Sequence, residues 1–453
     1  MPRSVLKIFL GLLPALATVL SNAPAAAQID GSIRYTLDNG AEVIITPIEG
    51  VGQVAVIAAY GVGFFDDPAG HPQLAHLVEP LRVTAATPQS EPTKRRAELS
   101  AIGAVNAETQ PHFTYYDYLL PADALELALR TEAERLDGLS PTIIDIGREG
   151  PLAAQEASWT ASHRTPRTHK FALMAAAQAW RHDATHVDVA TGLQNTRIDV
   201  AETFRKRWYT TDRLRLYITG SLDINAAKKA IDESIGKLPA PKAQKPDPDR
   251  AIDWAALPRR TTITWDLAVP TVVVAAPPPD DPAIRFALTR ALQHMSTRSS
   301  FVGTPVLGTS AMWPVGELPP MFIAPVAVDR NVDGVLEHMV RTLVRLSDGE
   351  LTDAEYASLR NAATTPFPPP LTPQMVEQQA RQLAQMMSLA PDDARMRVYT
   401  QALLNRMVVS YDPADEQARA TVASWTKDQW ASALAEHLSP AKLYALVVEP
   451  RVR

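Results

Sequence analysis

Residues 76 to 80 read His76-Leu77-Val78-Glu79-Pro80. Two histidines at i and i+4 share one face of a helix and can bind zinc, and a glutamate between them can act as general base toward metal-bound water. A zinc helix of the inverted type reads His-x-x-Glu-His. Here His76 and Glu79 hold the places of a ligand and a base, and the last place holds Pro80, which has no donor atom. In a helix interior, the ring of Pro80 meets the carbonyl of His76, four residues back, and removes a backbone hydrogen bond at a cost of about 3 kcal/mol. The helix is therefore expected to kink or end at Pro80, turning His76 from a ligand's direction. A replacement ligand would have to come from His71, His112, or the His182/His186 pair, each a lone polar residue in a polar or loop-like stretch.

The elements that must position these residues are marked by their periodicity. Ile33 to Ile45 contains Asp38-Asn39-Gly40, a hairpin turn between short strands. Val54–Tyr60 reads as a buried strand, Gln73–Arg82 and Lys94–Ile102 as helices, Thr114–Leu120 as an alternating strand, and Ala122–Leu136 as an amphipathic helix. Leu214–Thr219 is a strand ended by Gly220. After a stretch rich in proline and charge, strands are expected at Thr261–Trp265 and Thr271–Ala275 and helices at Asp281–Met295 and Val335–Leu346.

Two local matches suggest a duplication. Leu139–Arg148 resembles Leu351–Arg360, and Phe204–Thr219 resembles the final Trp430–Val448. The order is not a strict strand–helix–strand alternation, so the fold class is α+β, with each half a mostly antiparallel sheet carrying helices on one face. The expected division is a signal peptide over 1–27, an N-terminal domain over 28–235, a proline-rich linker over 236–259 and a C-terminal domain over 260–453. Arg3 and Lys7, the apolar run Ile8–Leu20 and Ala25-Ala26-Ala27 have the layout of a secretory signal, which predicts export to the periplasm. A net charge of −6 over 453 residues leaves no electrostatic footprint for nucleic acid, and the absence of cysteine excludes disulfides, thiolate catalysis and Cys-type zinc sites.

Several segments together resemble the pitrilysin/insulinase family of zinc peptidases in its two-domain form, similar to mitochondrial processing peptidase. They are Leu37–Ile45, Val62-Gly63 with Asp66-Asp67, Leu74–Glu79, Asn106–Thr109 with Thr114–Tyr116, and Glu149 with Glu156. The resemblance implies two halves shaped into a bowl. It makes His76 the first metal ligand, Glu79 the general base, Glu156 the third ligand and Glu149 a supporting acid. Position 80 matches the second ligand histidine. Asn106 and Ala107 match an edge strand on which substrates lie, and Arg298 matches a substrate-holding arginine, without the tyrosine that follows it in the family.

This sequence departs from the family pattern at more than Pro80. Gln73 stands where a glycine is usual, and Gly150-Pro151 is expected to interrupt the helix between Glu149 and Glu156. The resemblance therefore implies an inactive homologue with no cofactor, acting as partner subunit or peptide-binding shell of an active relative, or associating with itself. Two alternatives stand beside it: a zinc endopeptidase with an unconventional ligand set, and a binding scaffold with no peptidase partner.

Overall fold

The computed structural model describes residues 32–450 except 163–166, 183, 185–188, 243–251, 266, 297–305, 307–309, 313–318, 328–330, 349–350, 365–371 and 409–412. The signal segment, linker residues 243–251, His186 and Arg298 lie outside the described residues.

The first half runs β1 (Ile33–Thr36), β2 (Glu42–Pro47), β3 (Gln53–Tyr60), α1 (Leu74–Thr84), α2 (Lys94–Ile102), β4 (Ala104–Thr109), β5 (Thr114–Pro121), α3 (Leu125–Asp137), α4 (Ile143–Ser162), α5 (Arg167–His182), α6 (Val189–Gln194), α7 (Ile198–Trp208), β6 (Leu214–Gly220) and α8 (Ile224–Glu233). The second half runs β7 (Arg260–Trp265), β8 (Thr271–Ala275), α9 (Pro282–Ser296), β9 (Ser310–Met312), β10 (Met321–Pro325), α10 (Val332–Ser347), α11 (Asp353–Thr364), α12 (Pro373–Met387), α13 (Pro391–Val408), α14 (Pro413–Ala423), α15 (Lys427–His437) and β11 (Tyr444–Pro450).

The two sheets repeat one plan. The first has the order β1-β2-β6-β3-β5-β4 and the second β7-β11-β8-β10-β9. In each, one pair is parallel, β2 with β6 and β7 with β11, and the other pairs are antiparallel. Helices α4 and α11 open with the same reciprocal cap. Thr142 N and Oγ1 donate to Asp145 Oδ2, and Thr352 N and Oγ1 donate to Glu355 Oε2. These caps align Thr142 with Thr352, whereas setting Leu139 against Leu351 by sequence pairs Thr142 with Ala354. The repeat is present, two residues out of that register.

Each sheet carries helices of its own half on one face. The opposite face is covered by helices of the other half. Helix α5 is buried all round, from Phe171 through its alanines to Trp180, and shares one core with Trp265, Val273, Ile323 and Leu446 of the second sheet. In return Leu403 and Leu404 of α13 pack on Ile57, Ala59 and Tyr115 of the first sheet and on Phe113 just before β5, and Met396 packs on Val51, Ala55 and Leu119. Trp254 lies between Trp180 and Tyr444, with ring centroids at 5.5 and 4.8 Å.

The expected breaks at two prolines are corrected. Helix α1 runs unbroken through Pro80, and α4 runs unbroken through Gly150-Pro151. A proline removes one bond of the ladder, and burial supplies more than that. Leu74, Ala75, Leu77, Val78, Leu81 and Arg82 of α1 are all buried, and full burial of an aliphatic side chain contributes about 1.5–3 kcal/mol.

Candidate functional site

The start of α1 sets the direction of His76. The Asp67 carboxylate accepts from the backbone N–H of Gln73 at 2.5 Å and of Ala75 at 2.7 Å, capping the helix. Burial pushes the Asp67 carboxyl well above its usual range, and these two backbone bonds pull the other way. Gln73 itself is left-handed, with φ 66°. That conformation is free for glycine and costs another residue about 1–2 kcal/mol. Its amide returns an interaction, because Gln73 Oε1 lies 2.7 Å from His76 Nδ1. A carbonyl oxygen only accepts, so Nδ1 carries the hydrogen. Nε2 is then directed at Glu156 Oε2, 3.8 Å away on α4.

The fold therefore brings His76 and Glu156 together, and places the other sequence-marked residues elsewhere. Glu79 Oε2 accepts from Thr109 Oγ1 of β4 at 2.8 Å. Glu149 is buried and faces the end of α1. Its Oε1 is 3.1 Å from Thr84 Oγ1, which also lies 2.8 Å from the carbonyl of Pro80. Strand β4 is hydrogen-bonded to β5 and stands at the edge of its sheet. Side chains alternate along it, so Ala107 packs toward the main core while Asn106 turns to the opposite face and donates to Asp117 Oδ1 at 3.0 Å.

A catalytic zinc takes three protein ligands and a water. His76 and Glu156 offer two donors, and the ring of Pro80 offers none. The candidate replacements lie apart. His71 and His182 line a cleft with Asp66, Asp67 and Arg207, and His182 Nε2 is 3.2 Å from the Asp67 carbonyl oxygen. The His112 ring is tilted against Phe113, 5.1 Å between centroids. Among the described residues no three His, Asp or Glu side chains are grouped to hold a metal ion. The residues present do not fit the metal that the motif implies.

Sequence reasoning missed a second feature of α1. Arg82 falls on the buried stripe of Leu74 and Val78, and Glu132 and Arg135 fall on the buried stripe of α3. Charges on an apolar stripe were the available signal. Arg82 and Glu132 form an ion pair at 3.2 Å with both side chains 0% exposed.

No family model matches the sequence, and no curated protein does. Solved structures do. The chain is similar to a protease from Helicobacter pylori, with 15% identity and a TM-score of 0.65 over 94% of this chain and 100% of that one. It is similar to the periplasmic protease PqqL from Escherichia coli, with 17% identity and a TM-score of 0.59, and spans 48% of that protein's length. It is also similar to a peptidase M16 inactive domain from Pseudomonas fluorescens, with 13% identity and a TM-score of 0.64 over 93% and 98% of the two chains. At these identities the fold is what is shared.

Proposed function

We propose that this chain, which has the fold of the M16 (pitrilysin/insulinase-like) peptidases, does not itself cut peptides and serves as partner subunit or peptide-binding shell for a homologue with an intact metal motif. One observation carries the reading: His76 and Glu156 face each other at 3.8 Å across α1 and α4, and the residue matched to the remaining ligand is Pro80. Glu79, the matching base, is engaged by Thr109. The edge strand β4 is intact, and an extended peptide can add along a sheet edge through backbone hydrogen bonds.

The partner role draws on the two-unit neighbours. Pitrilysin and PqqL each contain about twice this chain's length, since the match spans 46% and 48% of them. Under the proposal, the homologue takes the place of the second unit in those proteins. Export is part of the proposal. It rests on the charged and apolar N-terminal segment and on the periplasmic location of PqqL. No helix among the described residues is long and apolar enough to cross a membrane.

Metal analysis and a peptide-digestion assay on the purified chain test the reading. The expected result is no stoichiometric zinc and no cleavage, with co-purification of a homologue carrying His-x-x-Glu-His. One zinc per chain, with cleavage abolished by Glu79→Gln, would overturn it in favour of a peptidase with an unconventional ligand set. A purely monomeric chain, in a cell encoding no such homologue, would remove the partner role.

A further inference from the structure

A metal shared by His76 and Glu156 would tie α1 to its surroundings, yet α1 is one donor short of that tie and is still firmly placed. Its anchor lies two residues beyond Pro80. The Arg82 guanidinium sits 4.4 Å from the ring centre of Tyr60, 4.4 Å from that of Tyr209 and 5.0 Å from that of Tyr116. Its Nη2 donates to Glu132 Oε2 at 3.2 Å. Glu132 also accepts from Tyr60 OH at 3.0 Å, from Arg135 Nη1 at 2.7 Å and from Tyr118 OH. Arg82, Glu132, Tyr60 and Tyr118 are all 0% exposed, and Tyr116 is 1% exposed. One cluster thus joins α1, β3, β5, α3 and the loop after α7.

The charges in this cluster do not cancel, because two guanidinium groups share one carboxylate. A buried excess cation is costly unless something else faces it. Here the faces of three tyrosine rings do so, and each such contact contributes more when water is excluded. Among the described residues Arg82 Nε and Nη1 have no hydrogen-bond partner, and three tyrosine rings lie within 5.0 Å of the guanidinium carbon. Arginine suits this role and lysine does not, because a planar delocalised cation can stack on rings while bonding a carboxylate.

We infer that the Arg82–Glu132–tyrosine cluster is the device that positions α1 in this chain, making the placement of His76, Glu79 and the adjoining edge strand independent of any metal. Arg82 acts here as a positioning residue. This inference concerns how α1 is held and stands whether or not the partner role does.

Amide hydrogen exchange of the full chain, read peptide by peptide, tests it. In the wild-type protein, protection of α1 and β4 should be unchanged by millimolar EDTA or by added zinc. Arg82→Ala should lower protection of α1 by about tenfold or more, while α13 changes less than about twofold. Arg82→Lys keeps a cation and most of the bulk, and should fail to restore α1. If the alanine variant does not fold, the lysine variant carries the comparison. Wild-type protection of α1 that falls with EDTA and returns with zinc would overturn the inference. So would α1 protection unchanged in Arg82→Ala, or fully kept by Arg82→Lys.

Discussion

His76 Nε2 stands 3.8 Å from Glu156 Oε2, although a proline lies inside each of the helices that carry them, Pro80 in α1 and Pro151 in α4. An imidazole and a carboxylate thus face each other across α1 and α4, and the residue one turn after His76 is a proline with no donor atom. The prolines cost backbone bonds, and the packing of both helices holds the side chains in place.

Pro80→His should therefore create a metal site. The new imidazole would lie one turn from His76 on the same face, completing three protein ligands with Glu156. About one zinc per chain is expected, against none in the wild type, together with a rise in melting temperature on adding zinc. Without metal the substitution should still add stability, by up to about 3 kcal/mol, because the helix regains a backbone bond. Metal analysis and thermal melts with zinc and with EDTA check both parts.

Gln73→Gly separates strain from orientation. Glycine takes the left-handed conformation freely, which gains about 1 kcal/mol, and the bond to His76 Nδ1 is lost, which costs about the same. Stability should change little. His76 should become less ordered, and its modification by diethyl pyrocarbonate should become several-fold faster. An unchanged rate would mean that Gln73 does not hold the ring.

Asp117 should make stability depend on pH. Burial first, and then the like charge of Glu108, raises its carboxyl from 3.8 to about 6, with Asn106 and Arg397 acting in the opposite direction. The native state thus keeps a proton that the unfolded chain has released. Stability contributed by this group is present at low pH and is lost as pH rises from about 4 through 6. Asp117→Asn should flatten that dependence and add about 1–3 kcal/mol at neutral pH. Denaturant melts at several pH values give the slope.

Leu403→Ala should weaken the whole molecule rather than its second half alone. Leu403 belongs to α13 but clusters with Ile57, Ala59 and Tyr115 of the first sheet. A loss of about 2–5 kcal/mol is expected, in one cooperative transition seen equally by probes in both halves. Two separate transitions would show that the exchange of helices does not couple the halves.

Much of the fold was legible in the sequence because its elements are strongly periodic. The strands around Val54–Tyr60 and Thr271–Ala275 and the helices at Lys94–Ile102 and Val335–Leu346 appear where alternation and helical spacing put them. The duplicated plan was legible as well, through the match of Leu139–Arg148 to Leu351–Arg360, two residues out of register, and through the terminal strands β6 and β11. The effect of the two prolines was misjudged. Local rules count the bond that a proline removes but not the burial that keeps Pro80 and Pro151 inside helices.

By itself the sequence determined which chemistry is available: one histidine and several glutamates in the pattern of a metal helix, with a proline where a ligand must be. Only the tertiary structure decided which of those residues meet. Glu156 reaches His76, Glu149 turns to Thr84, Glu79 goes to Thr109, and Arg82 finds Glu132 fifty positions away. Side-chain types and local spacing are written along the chain, whereas contacts between α1, α3, α4 and β4 depend on how distant helices pack on a common sheet.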